Sequence, residues 1–246
     1  MNRMASGGIF DHLGGGFARY SVDERWAVPH FEKMLYDNAL LSRTYFEAYQ
    51  ATKRERYRCV GGEILDYVLR EMKSPGGGFY SNQDADSEGV EGKFYIWTRD
   101  EIKKALGKDM GTLFCAYYGV TQQGNFEKEA SVLNIASTLE KVSQFYRISV
   151  PDLGKVLEEG RKKLFAEREK RTRPGRDEKI LTSWNGLMIS GFVGGFNVTG
   201  NERYLGGAEE AARFILQEMR ENDSLMRVYH KKKCQVKGYS EDYAFL

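Results

Sequence analysis

Apolar residues recur at helical spacing along much of the chain. From Phe31 they fall at Met34, Leu35, Ala39, Leu40 and Leu41, then at Tyr45, Phe46, Ala48 and Tyr49. The pattern predicts one helix from Phe31 to Thr52, about 33 Å long at 1.5 Å per residue, with Pro29 at its first turn, where a missing N–H costs nothing. Toward its C-terminal half the apolar residues spread around most of the cylinder, so this helix should be buried on nearly every side. His30, Glu32, Lys33, Asp37 and Asn38 crowd its start. Polar groups there must face a mouth, a cleft or another chain.

The same pattern returns 147 positions later. Tyr36–Met72 aligns without a gap on Ser183–Met219 with ten identities, among them Asn38/Asn185, Leu40/Leu187, Thr52/Thr199, Arg56/Arg203 and Tyr57/Tyr204. Each copy reads as an apolar inner helix, a tight turn (TKRERY or TGNERY) and a one-sided outer helix. Gly186, Gly191, Gly194 and Gly195 allow close approach in the second copy. Such hairpins cannot bury their faces alone and stack as an array. Asn38 and Asn185 should occupy equivalent places and bond a loop backbone, because an Asn in an apolar face needs partners.

A less regular unit lies between the copies. Thr98 and Glu101 form a capping box opening a short helix that Gly107 closes, and a second short helix covers Gly111–Tyr118. Ser149 and Pro151 start a longer helix near Asp152–Arg171. The basic run from Arg168 to Arg176 reads as a solvated helix end and loop rather than an anion site. Asp242, Ala244 and Leu246 repeat the spacing of Asp37, Ala39 and Leu41, which predicts a further inner helix beginning there. The chain, 1–246, thus reads as part of one helical array with uncovered end faces that favour self-association.

Composition narrows the function. The 246 residues carry a net charge of +2, far from the imbalance of a nucleic-acid binder. The weakly polar run Leu187–Val198 is too short to span a bilayer, and MNRMASGGIFDH lacks the apolar segment of a signal peptide. Cys59, Cys115 and Cys234 stand apart with no metal-ligand spacing, so the expectation is a reduced, cytoplasmic protein without metal or cofactor.

Chemistry is concentrated in the connections. GGGF occurs at Gly14–Phe17 and Gly76–Phe79, each time followed by aromatic, strand-like residues. Neither run has the context of a phosphate loop. They deliver Arg19, Tyr20 and Asp23 on one side and Asp84 and Asp86 on the other. DADSEG begins like a calcium loop, but Tyr95 stands where the bidentate Glu belongs. A β-hairpin with an acidic tip fits better. Such a tip is either a solvated turn or a source of catalytic or sugar-binding carboxylates. His30 is the histidine nearest to Lys33 and Asp37, while His12 and His230 are weaker candidates.

Several long motifs carry a resemblance. GGGFARYSVDERWAVPHFEKMLYDNALL, GGFYSNQDADSEGVEGKFYIWT, DEKILTSWNGLMI and EDYAFL resemble the thioredoxin-domain-containing family that includes YyaL-type bacterial proteins and animal spermatogenesis-associated proteins. The resemblance covers essentially the whole chain. It implies an all-α, incomplete (α/α) six-hairpin toroid with short β-hairpins in the connections, similar to N-acylglucosamine and cellobiose 2-epimerases and six-hairpin glycosidases. It also implies a thioredoxin-like N-terminal domain and closing hairpins outside this chain.

Two functions follow as expectations. One is a carbohydrate-active enzyme with its site at the inner-helix rim. His30, Asp84, Asp86 and Asp37 would be catalytic, and Arg19, Tyr20, Lys33, Asn38, Trp184, Asn185 and Asp242 would bind substrate. An epimerase would use His30 as base, whereas a hydrolase would set one of the hairpin carboxylates against Asp37 or Asp242. The other is a non-catalytic helical scaffold for the thioredoxin-like domain.

Overall fold

Why the inner helices start where they do is visible in the backbone. A computed structural model describes residues 1–246. In chain order its elements are α1 (Asn2–Ser6), β1 (Tyr20–Ser21), β2 (Pro29–His30), β3 (Lys33–Met34), α2 (Leu35–Thr52), α3 (Glu55–Tyr67), a π-helical turn (Val68–Met72), β4 (Asn82–Gln83), β5 (Asp86–Ser87), β6 (Val90–Glu91), α4 (Arg99–Leu106), α5 (Lys108–Tyr117), α6 (Leu139–Tyr146), α7 (Val150–Arg168), β7 (Arg176–Asp177), β8 (Ile180–Leu181), α8 (Thr182–Thr199), α9 (Glu202–Glu218), β9 (Arg220–Glu221), β10 (Ser224–His230), β11 (Lys233–Lys237) and α10 (Ser240–Phe245). The architecture is all-α, built of helical hairpins with short antiparallel strand pairs in the connections.

The predicted helix from Phe31 is shorter at its start. Residues 29–30 and 33–34 are extended, and α2 begins at Leu35, whose N–H bonds Ser81 O at 2.9 Å. Pairing of Tyr20 with His30, and of Lys33 with Gln83, gives these residues backbone partners that a helix would forfeit. Apolar spacing alone could not register that competition.

The chain forms two compact units. One comprises residues 1–14, 18–31 and 85–174, the other 15–17, 32–84 and 175–246. In the first, α4, α5, α6 and α7 surround Trp97, Ile102, Phe114, Leu153 and Leu164. The capping box forms as predicted, with Thr98 N–H on Glu101 Oε2 at 2.7 Å and Glu101 N–H on Thr98 Oγ1 at 3.2 Å. Ser149 caps α7 by accepting from Asp152 N–H, and Pro151 sits in its first turn.

The basic run after α7 is not solvated throughout. Arg168 is buried and bonds Asp11 Oδ1 at 2.8 Å, with its guanidinium against the Phe94, Tyr95 and Phe165 rings. Arg171 lies 3.9 Å from the Trp97 ring centre and donates to Ile96 O at 2.7 Å. The Phe94 and Tyr95 faces and the distant Asp11 account for this correction, because none of them is near the run in sequence.

The second unit holds the repeat. α2 and α8 run from Leu35 to Thr52 and from Thr182 to Thr199, a displacement of 147 at both ends, and α3 and α9 begin at Glu55 and Glu202. The inner helices pack against each other, where a Cβ on Gly191 would fall 2.7 Å from Ser42 Oγ. The strands repeat as well: β2 and β7, and β3 and β8, are each 147 apart, while β1 and β4 are 62 apart, as are Phe17 and Phe79.

Each inner helix carries a clamp near its start. Asn38 Oδ1 accepts from Phe17 N–H at 2.8 Å, and its amide donates to Phe17 O at 3.1 Å and Met34 O at 2.9 Å. Asn185 does the same with Phe79 N–H at 2.7 Å, Phe79 O at 3.0 Å and Leu181 O at 2.9 Å. In α10 the corresponding position is Tyr243, whose hydroxyl accepts from Leu225 N–H at 3.0 Å. The predicted Asn-to-loop bonds are present, and their targets are the phenylalanines of the two GGGF runs.

Candidate functional site

The YSVDERWAVPH segment builds one hairpin of the first unit. Asp23 accepts from Arg25, Ala27 and Val28 N–H groups, the last at 2.6 Å. Partial burial opposes its charge, but these amides and the Ser21 hydroxyl outweigh it and hold the Asp23 carboxyl below the usual range. The loop so gathered places Trp26 at φ +65° and returns the chain as β2 opposite β1.

Tyr20 and His30 are cross-strand partners there, with rings stacked 5.0 Å apart and 15° from parallel. His30 Nδ1 lies 2.8 Å from Glu91 Oε1. Glu91 ends the hairpin read from DADSEG, where it pairs across the ribbon with Asp86. A carboxylate only accepts, so Nδ1 donates, and the neutral ring then carries its acceptor lone pair on Nε2. Tyr20 and Glu91 are exposed, His30 is partly so, and the neighbouring Arg19 and Asp86 face solvent.

Four of the predicted residues, Arg19, Tyr20, His30 and Asp86, therefore belong to this unit, and the two hairpins bring Tyr20, His30 and Asp86 into one cluster through Glu91. Glu91 was missed by sequence reasoning. It lies 61 residues from His30, and only the alternation of the hairpin strands hinted that it shares a face with Asp86.

The other seven lie in the second unit. Lys33 is 3% exposed, donates to Gly15 O at 2.9 Å and sits 4.4 Å from the Tyr67 ring centre. Asn38 and Asn185 are fully buried in their clamps. Asp242, also fully buried, accepts from Ser183 N–H at the start of α8 and from Tyr239 N–H, and pairs with Arg227 at 3.2 Å. These four fasten loops and helix starts. Trp184 packs edge-on against Tyr36, 4.8 Å between ring centres. Asp37 lies in the first turn of α2, partly buried, and Asp84 is exposed, its N–H on Gly175 O at 2.8 Å.

No group of three or more His, Cys, Asp or Glu is placed to hold a metal ion, and no helix is long and apolar enough to cross a membrane.

Helical hairpins repeated with their strands and clamps define the second unit as a pair of related (α/α) hairpins. No protein-family model matches the chain. In sequence it is similar to proteins named spermatogenesis-associated protein 20. It is 36% identical to the protein of that name from Homo sapiens over 282 aligned residues, covering 100% of this chain and 36% of the relative. The Rattus norvegicus protein is likewise 36% identical over 280 residues, again 100% of this chain and 36% of the relative. The chain thus spans about a third of the length of these relatives. Among solved structures it is similar to a sugar epimerase from a ruminal bacterium, at a TM-score of 0.31 and 14% identity, covering 99% of this chain and 78% of that one.

Proposed function

We propose that the chain is a carbohydrate-active domain that moves a proton at a sugar carbon, with His30 as the base. The observation that carries this reading is the His30–Glu91 pair beside the stacked, exposed Tyr20 ring. Glu91 orients the imidazole and selects the tautomer with a basic Nε2. Tyr20 offers an apolar face to a sugar ring.

In the reaction, Nε2 takes the proton from the carbon next to the carbonyl of a ring-opened sugar. The electron pair moves into an enediolate, whose oxygen Arg19 steadies. Return of a proton from solvent water to the opposite face inverts the carbon, and the imidazolium then gives up its proton to water. Hydrolysis is less favoured in this unit, because it requires carboxylates on two sides of the glycosidic bond. Asp86 and Glu91 stand opposite each other on one hairpin, so both side chains leave the same face of the ribbon.

The test is proton exchange. The protein is incubated in D2O with aldoses, N-acylated amino sugars and disaccharides, and loss of the H2 signal is followed by NMR. Exchange should occur with at least one sugar and vanish in His30→Gln at an unchanged melting temperature. No exchange with any sugar, or exchange that survives in His30→Gln, would overturn the proposal. The second reading, a scaffold partnering a thioredoxin-like domain, draws on Lys33, Asn38, Asn185 and Asp242 being engaged within the fold.

A further inference from the structure

Beside the dyad lies a cavity of about 490 Å³, within the range that holds small organic ligands. Val90, Phe94, Ile96 and Phe126 supply its apolar lining, and Glu91 forms part of the same wall. The lining is built to last. Phe126 meets the Phe31 ring edge-on at 5.6 Å, and Arg171 ties down the 93–96 segment through the carbonyls of Phe94 and Ile96. Ser87 Oγ donates to Thr172 O at 2.6 Å, fastening the hairpin to the opposite side. Gly92 is at φ +73°, and a Cβ there would fall 2.4 Å from the Phe31 ring, so the turn below the hairpin has no other residue available to it.

The charged rim gives little to an ionic ligand. Lys93 is paired with Glu88 at 2.7 Å, Lys170 with Glu167 at 2.5 Å and Arg171 with Glu101 at 3.4 Å. Glu127 and Lys128, adjacent in sequence, bring opposite charges. An ionic substituent would have to break pairs, whereas an apolar one displaces water from Val90, Ile96 and the two phenylalanines.

We infer that this cavity receives an apolar extension of the substrate, so that the sugar acted on at the dyad carries an alkyl, aryl or acyl substituent and is not a bare monosaccharide. This rests on the proposed function for the position of the sugar, since Glu91 is common to cavity and dyad. The preference for an apolar group rests on the cavity itself.

Binding is measured by calorimetry with glucose, 6-O-benzoylglucose and 6-O-octanoylglucose, the last below its micelle concentration, all three keeping a free anomeric carbon. The substituted sugars should bind at least tenfold more tightly than glucose. Phe126→Ala should shrink that preference several-fold, and so should Val90→Asp, which changes an exposed hairpin residue and leaves the core intact. His30→Gln should keep the preference while losing proton exchange. Equal binding of glucose and both esters, or a preference untouched by Phe126→Ala and Val90→Asp, would overturn the inference. A preference that holds in a protein showing no exchange would instead count against the catalytic reading alone.

Discussion

Replacing Asn185 by Ala should be among the costliest single substitutions in the second unit. Its Oδ1 is the partner of Phe79 N–H, its amide satisfies Phe79 O and Leu181 O, and the residue is fully buried. Truncation leaves the Phe79 N–H without an acceptor where water does not reach, which costs about 1–3 kcal/mol by itself. Loss of the bond to Phe79 O adds about 0.5–1.5 kcal/mol, while Leu181 O adds less because it also faces its own helix. The sum is about 2–4 kcal/mol. A matched control is Asn201, whose side chain caps α9 by accepting from Arg203 N–H at 3.1 Å at an exposed helix start. Water can take its place, so Asn201→Ala should cost about 1 kcal/mol.

Urea unfolding measures both, with the m-value checked for constancy so that the midpoint shift reports stability. Amide exchange at Phe79 supplies the local reading and should rise sharply in Asn185→Ala. Asn185→Asp is informative in addition, since it keeps the acceptor for Phe79 N–H but turns a carboxylate toward two carbonyls. It should not recover the wild-type midpoint. If Asn185→Ala costs no more than Asn201→Ala, or Phe79 exchange is unchanged, the clamp does not hold the loop and the reasoning fails.

Other expectations follow from groups buried or gathered by the fold. The Asp23 carboxyl lies below its ordinary range because three backbone amides and Ser21 outweigh its desolvation, so its stabilisation is complete above the unfolded value and is lost as pH falls through the folded one. Val28 amide exchange should therefore accelerate as pH falls below the ordinary aspartate value of 3.8, and Asp23→Asn should remove that dependence. Burial pushes the Cys115 thiol up to about 11 despite Arg99 and Lys103, leaving on the order of one thiolate per thousand at pH 8. A thiol reagent should label exposed Cys59 first and Cys115 only on unfolding. Breaking the buried pair with Asp11→Ala should cost about 3–5 kcal/mol by urea unfolding, more than Arg43→Ala at the exposed Arg43–Glu47 pair.

Local signals in the sequence carried far, and non-local ones did not. The Thr98–Glu101 box, the Ser149–Pro151 start and the acidic hairpin are each specified by residues within a few positions, and each is where it was expected. The hairpin repeat was equally legible, because its two copies differ by a constant 147 positions. The start of α2 was not, since Lys33 and Met34 leave helical geometry to pair with a strand 49 residues away. Burial of Arg168 depends on Asp11, 157 residues distant, and the His30–Glu91 pair spans 61. Such pairs leave no periodic trace for either partner.

The repeat also separates residues that hold the fold from residues free to do chemistry. Where the copies share a backbone position and an identity, as at Asn38 and Asn185, the side chain makes the same bonds to the same kind of loop. Where they share the backbone position but not the identity, the fold tolerates both residues and something else has chosen between them. Tyr20 pairs with His30 in one hairpin, and Asn82 pairs with Asp177 in the corresponding register of the other. The second pair is polar without an imidazole or an aromatic face, and it completes its strand pairing all the same. Histidine and tyrosine are therefore not required by the ladder. Their presence at β1 and β2, with a carboxylate on the imidazole, is the feature that an explanation of function has to meet first, ahead of the fully buried asparagines that the sequence made more conspicuous.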